Sequence, residues 1–183
     1  MEQPQRINLF DAPEFLGPPK DWKLIEDQLQ RDDLTIINPN YGVAGYNDNC
    51  VNCVLAYDLR QRGFNVTAKS STDCKIGRKI DKLWEDSENR KQNCTSLAEL
   101  EKIISLAEDS RYFIGLMFQG KYNYRFGHAI ILDINNRNFS YLDVQRGTIF
   151  DEKYYGTIIE VTYWRIDDLV ITQTGYNACQ EVK

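Results

Sequence analysis

The spacing of apolar positions changes character near residue 110. Before that point the period is helical. Trp22, Leu24, Ile25 and Leu29 share one face and predict a short helix over 20–31. A second helix is predicted to start at Asn49, an N-cap residue type. Val51, Val54, Leu55 and Leu59 form its stripe, and Arg60, Arg62 and Gly63 mark its end. Ile76, Ile80, Leu83 and Trp84 predict an amphipathic helix over 75–86. Ser96 followed by Glu99 is a capping-box spacing ahead of Leu97, Leu100, Ile103, Ile104 and Ala107. Residues 64–68 alternate like a strand, and residues 32–48 read as loop with one short extended piece. Residues 1–19 are proline-rich without a period, as in an extended lead-in or linker.

After residue 110 the runs are short and β-rich: RYFIGLMF, GHAIILDI, NFSYLDV, TIIEVTYWRI and LVITQT. Asn135–Asn138 is turn chemistry between the second and third of them. Helices followed by strands predict an α+β fold with helices packed on an antiparallel sheet.

Composition narrows the class of function. With 22 basic and 27 acidic residues the net charge is −5, which argues against a nucleic-acid binder. No apolar run is long enough to span a bilayer, so membrane insertion is not expected. No basic-then-apolar leader opens the chain, which implies either a cytosolic protein or a piece of a larger exported one. The 5 cysteines, Cys50, Cys53, Cys74, Cys94 and Cys179, are odd in number and too sparse for a disulfide scaffold, so they are read as reduced thiols.

The chain has a single histidine, His128, at the start of a predicted strand. Pairing about the 136–137 turn puts His128 opposite roughly residue 145, two residues from Asp143. Cys50 lies at the predicted helix start. Cysteine, histidine and carboxylate are what a thiol nucleophile requires: the thiolate attacks, the imidazole carries the proton, and the carboxylate orients the ring. A backbone N–H at the helix start can stabilise an oxyanion, helped by a side-chain amide from Asn49, Asn47 or Gln145. Cys50 and Cys53 also allow a zinc knuckle completed by His128 and one of Cys74, Cys94 or Cys179, but no second ligand pair supports it, and no metal is expected. A Cys-x-x-Cys redox motif would lack its βαβ surroundings. A non-catalytic binding module remains the alternative from a different class.

NPNYGVAGYNDNCVNCVLAYDLRQRGFNVTA (residues 38–68), GHAIILDI and YLDVQRG together resemble the papain-fold toxin domains, of the glutamine deamidase type, found in bacterial polymorphic toxins and phage-associated proteins. The resemblance covers roughly residues 38–150. The first 30 residues and the tail after about 165 lie outside it. It implies a papain-like fold, and the domain is read as residues 38–183, preceded by an extension over 1–37 with a short helix. It implies a cofactor-free Cys50–His128–Asp143 triad that deamidates glutamine side chains of a target protein. It also implies delivery as part of a larger secreted or injected bacterial or phage protein, action in the target-cell cytoplasm, and a cognate immunity protein. By analogy with papain, Cys53 stays open as the nucleophile; Cys50 is favoured because it is nearest the positive helix end. The same triad also suits a cysteine protease or a deubiquitinase-like peptidase.

Overall fold

The computed structural model describes residues 21–76 and 79–182. The lead-in expected over residues 1–19 lies outside the described residues. In chain order the helices are α1 (Gln28–Asp32), α2 (Cys50–Gln61), α3 (Ser87–Arg90), α4 (Leu97–Ile103), α5 (Glu152–Tyr155) and α6 (Gln173–Tyr176). The strands are β1 (Val66–Ala68), β2 (Gln92–Cys94), β3 (Ser110–Gln119), β4 (Arg125–Asn135), β5 (Asn138–Asp143), β6 (Thr148–Ile149), β7 (Thr157–Arg165) and β8 (Cys179–Glu181). Six strands form one antiparallel sheet in the order β2-β7-β3-β4-β5-β6, and β1 pairs with β8 in a separate two-stranded sheet. The fold is therefore α+β with antiparallel sheets.

Both faces of the large sheet are covered, which explains why its strands read as nearly continuous apolar runs. Along β4, Ala129 and Ile131 join the core beneath α2, together with Phe113, Leu142 and Trp164. The alternate residues Ile130, Leu132 and Ile134 join a second core with Leu100 and Ile104 from the α4 side. A period of two thus feeds two cores from one strand. Residues 52–61 of α2 are all buried, so this helix is central, and its charged residues need internal partners. Past its C-terminus Gly63 takes φ +99°, where an L side chain is strained.

Three expected elements differ. In place of the helix over 75–86, Lys79–Lys82 form one 3-10 turn, the Glu85 N–H donates to Val170 O, and Trp84 makes a bridge to Ile171. The apolar spacing is real, since Ile76, Leu83 and Trp84 are buried, but the end of this segment bonds across to residues 170–171. The helix over 20–31 shrinks to α1, because Leu24 bridges Phe64 and the Ile25 N–H donates to Gly63 O. The strand expected over 169–174 is that single bridge followed by α6, whose N-cap Thr172 accepts from the Gly175 N–H. The capping box holds in modified form. Ser96 accepts from the Glu99 N–H, while the Glu99 carboxylate reaches back to the N–H and hydroxyl of Thr95.

Candidate active site

Cys50 is the first residue of α2 and is half-buried at the wall of a cavity of about 440 Å³. The first helical bond runs from the Cys53 N–H to Asn49 O, so the N–H groups of Cys50, Val51 and Asn52 have no acceptor within the helix. They give this end of α2 its donors and its partial positive charge.

His128 reaches the same place from the sheet. The β4–β5 ladder begins at the Asn135–Asn138 pair and ends at Ile131–Leu142, short of His128. Beyond that point β5 no longer pairs with β4, and its last residue, Asp143, meets the histidine edge: His128 Nε2 lies 3.1 Å from Asp143 Oδ1. Cys50 lines the same cavity as this imidazole, and its thiol is one of the groups that raise the His128 pKa. With Nε2 held by Asp143, Nδ1 is the nitrogen left for the thiol. Burial of His128 opposes its charged form, but hydrogen bonds with Asp143 and Cys50, and their negative charge, overcome it and raise its pKa to about 9. Burial would raise Asp143 in turn. The hydrogen bond and charge of His128, the Tyr155 hydroxyl and the Arg146 N–H hold it below the ordinary aspartate value.

Tyr155 supports both partners, and no sequence signal points to it. Its hydroxyl donates to Asp143 Oδ2, and its ring stacks on His128 with centroids 4.7 Å apart and planes 22° from parallel. Phe118 and Phe150 stack against it in turn. Nothing in the four residues of α5 announces this; the role appears only once α5 is placed over the end of β4.

The amides behave differently from expectation. Asn49 occupies the N-cap position but makes no side-chain cap. Its Oδ1 accepts from Asn38 Nδ2 (3.3 Å), Gln145 Nε2 (3.2 Å) and Cys53 Sγ (3.4 Å). Its Nδ2 donates to Asn38 Oδ1 and Lys69 O. Both hydrogens of the Asn49 amide are thus engaged, and the group is a buried joint rather than a free donor for an oxyanion. Gln145 is part of the same joint. Asn47 is exposed and closes its own loop by accepting from the Gly42 N–H at 2.7 Å. Asn38, which the sequence pattern does not single out, ties the joint together by donating to Gln145 O and Tyr46 O.

The two cysteines of the pair are unequal. Cys53 is fully buried, gives its S–H to Asn49, and has its pKa pushed well up, chiefly by burial and then by the nearby Cys50 charge. Cys50 faces the cavity and the imidazole. All five thiols are free, and Cys74, Cys94 and Cys179 are not among the groups that hold His128. Among the described residues no three His, Cys, Asp or Glu side chains converge as a metal-holding group, and no helix is long and apolar enough to cross a membrane.

Comparison of the chain with models of protein families, with curated proteins and with solved structures returns no match.

Proposed function

We propose that this chain is a cysteine-dependent hydrolase of papain-like architecture that deamidates glutamine side chains of a target protein. The observation that carries the reading is the convergence on one cavity wall of a helix-start cysteine with an imidazole already held by a buried carboxylate. In this reading the Cys50 thiolate adds to the δ-carbonyl carbon of the glutamine, and backbone N–H groups at the start of α2 receive the oxyanion. The His128 imidazolium gives its proton to the departing nitrogen, which leaves as ammonia with the bonding electron pair. Water then attacks the thioester, His128 takes its proton, and Cys50 is released as glutamate forms. Asp143 holds the ring and favours its charged form throughout. The toxin resemblance extends the proposal to delivery within a larger secreted or injected protein, action in the target-cell cytoplasm and neutralisation by a cognate immunity protein.

The test is the intact mass of candidate target proteins after incubation. A gain of about one dalton per event is expected, because an amide becomes an acid. Cys50→Ala, His128→Ala and Asp143→Ala should each abolish it or nearly so, and Cys50→Ala/His128→Ala should be little worse than Cys50→Ala alone, since the residues act as one unit. Cys53→Ala should keep most activity. Fragments in place of the mass gain would move the assignment to a cysteine protease. Unchanged targets, with all five thiols alkylated equally slowly by iodoacetamide, would leave a non-catalytic binding module.

A further inference from the structure

The cavity beside Cys50 and His128 has a patterned floor. On its face of the sheet, three cross-strand ranks follow one another. Phe113 and Trp164 are paired in one, Ala129, Gly115 and Thr162 in the next, and Gly127, Met117 and Glu160 in the third. The middle rank is small, so it forms a trough between the aromatic pair and Met117. An added Cβ at Gly115 would come within 3.2 Å of the Phe113 ring, which shows how closely the wall borders the trough. Cys50 and His128 close the β4 end. Besides the His128 imidazolium, the charged groups along the lining are Asp81, Lys91 and Glu160. Lys91 Nζ lies 3.4 Å from Asp81 Oδ1, so these two offset each other. Glu160 is exposed, and among the described residues no side chain or backbone group pairs with its carboxylate.

Glu160 is also set apart by the backbone. The β2–β7 ladder ends at Cys94–Val161, one residue short of it. On its other side the β3–β7 register slips between Met117–Glu160 and Phe118–Ile158, so Ile159 is an extra residue directly before Glu160. A bulge of this kind re-aims the adjacent side chain, and bulges concentrate beside functional sites. From Gly127 across β3 to Glu160 is two strand spacings, roughly 10 Å, which an extended peptide covers in about three residues.

We propose that Glu160 is a specificity residue: it reads a lysine or arginine side chain about three residues from the reacting glutamine, in a substrate polypeptide lying along the trough. The proposal rests on the hydrolase reading and names the substrate class for it, an amide flanked by basic sequence.

The probes are blocked glutamine peptides in which Lys, Ala and Glu are scanned through the positions flanking the glutamine on both sides. Two quantities are read: ammonia release, and protection of Cys50 from iodoacetamide, with each rate divided by the rate without peptide. At the position facing Glu160, Lys should protect at about threefold lower concentration than Ala, as a solvent-exposed ion pair allows, and Glu should protect least. Glu160→Lys should invert the order, and Glu160→Gln should flatten it. The same order in the native chain and in Glu160→Lys, or no dependence on charge at any position, overturns the assignment. Ammonia release without charge preference removes this inference and leaves the hydrolase reading. Charge-dependent protection without ammonia release overturns the hydrolase reading and keeps the recognition of a cation.

Discussion

Toward the C-terminal end of α2, Asp58 is fully buried and its carboxylate accepts from three side chains. Arg62 reaches it at 2.8 and 3.1 Å, Arg111 at 2.9 and 3.3 Å, and the Trp84 indole at 2.9 Å. Arg62 also donates to Leu169 O and Ile166 O. At the other end of the same helix, His128 and Asp143 are almost as buried, and they too are held by charge-assisted bonds. The difference is closure. No member of the Asp58 cluster lines the cavity beside Cys50, whereas the His128 cluster ends in Cys50, which opens onto it. A closed polar cluster joins α2 to the sheet and to residues 166–169; the open one leaves the Cys50 thiol at the cavity wall. Burial and perturbed ionisation alone do not separate the two, since Asp58 and Asp143 are both held below the ordinary aspartate range by cationic neighbours that outweigh burial.

Asp58→Ala is the largest effect expected. It leaves two buried guanidinium groups without their counter-charge, which costs about 3–5 kcal/mol. Against a typical stability of about 5–15 kcal/mol, that loss should lower the melting temperature by about 10 °C or leave the chain unfolded. Circular dichroism during heating measures it. Cys50→Ala, by contrast, should melt within a few degrees of the native chain, because the thiol is half-buried at a cavity wall. Equal losses in the two variants would erase the distinction drawn between the ends of α2.

The next effect is in pH. The folded pKa of His128 is about 9 against an ordinary 6.5, so the proton is bound more tightly in the folded chain. The associated stabilisation is complete below pH 6.5 and is lost as pH rises through about 9. Unfolding free energies of the native chain and of His128→Gln should therefore converge over that window, by on the order of 2–3 kcal/mol. Because Cys50 contributes to raising this pKa, the Cys50→Ala background should narrow the window from its alkaline side. Parallel profiles across the whole range would mean that His128 is not held as a cation in the fold.

The open end of α2 is more legible in the sequence than the closed one. The meeting of His128 with Asp143 follows from counting residues back from the 135–138 turn, and the observed register differs from that count by nothing. The position of Cys50 at a helix start follows from the apolar stripe and Gly63. Asn49 is identifiable as a residue of interest, but its task is not. Its partners Asn38, Lys69 and Gln145 come from three separate segments, and helical capping is only the local use of such a side chain. The helix expected over 75–86 fails for a related reason. Apolar spacing reports burial, whereas helicity depends on where the N–H groups go, and here one goes to Val170. Tyr155 leaves no mark in the pattern because its value lies wholly in what α5 is placed against.

Tyr155→Phe is the smallest change with a distinctive signature. The variant keeps the ring that stacks on His128, Phe118 and Phe150, and deletes only the hydroxyl that donates to Asp143. Loss of one hydrogen bond to a carboxylate costs about 1.5–3 kcal/mol of stability, below the Asp58 effect. Its mark is in ionisation. The Tyr155 bond is one of the groups holding Asp143 below its ordinary value, so removing it raises the Asp143 pKa. The carboxylate is then protonated sooner as pH falls, its hold on the imidazolium weakens, and the acid limb of the activity profile should move to higher pH. At neutral pH kcat should fall by about tenfold with KM little changed, since the hydroxyl bonds to Asp143 and Tyr155 does not line the cavity beside Cys50. Tyr155→Leu should lose the stack as well and fall further. A structural residue such as Trp84, changed to Phe, should lower the melting temperature without shifting the acid limb. If Tyr155→Phe does the same, then Tyr155 belongs with the closed cluster, and openness toward the cavity is not what sets the two ends of α2 apart.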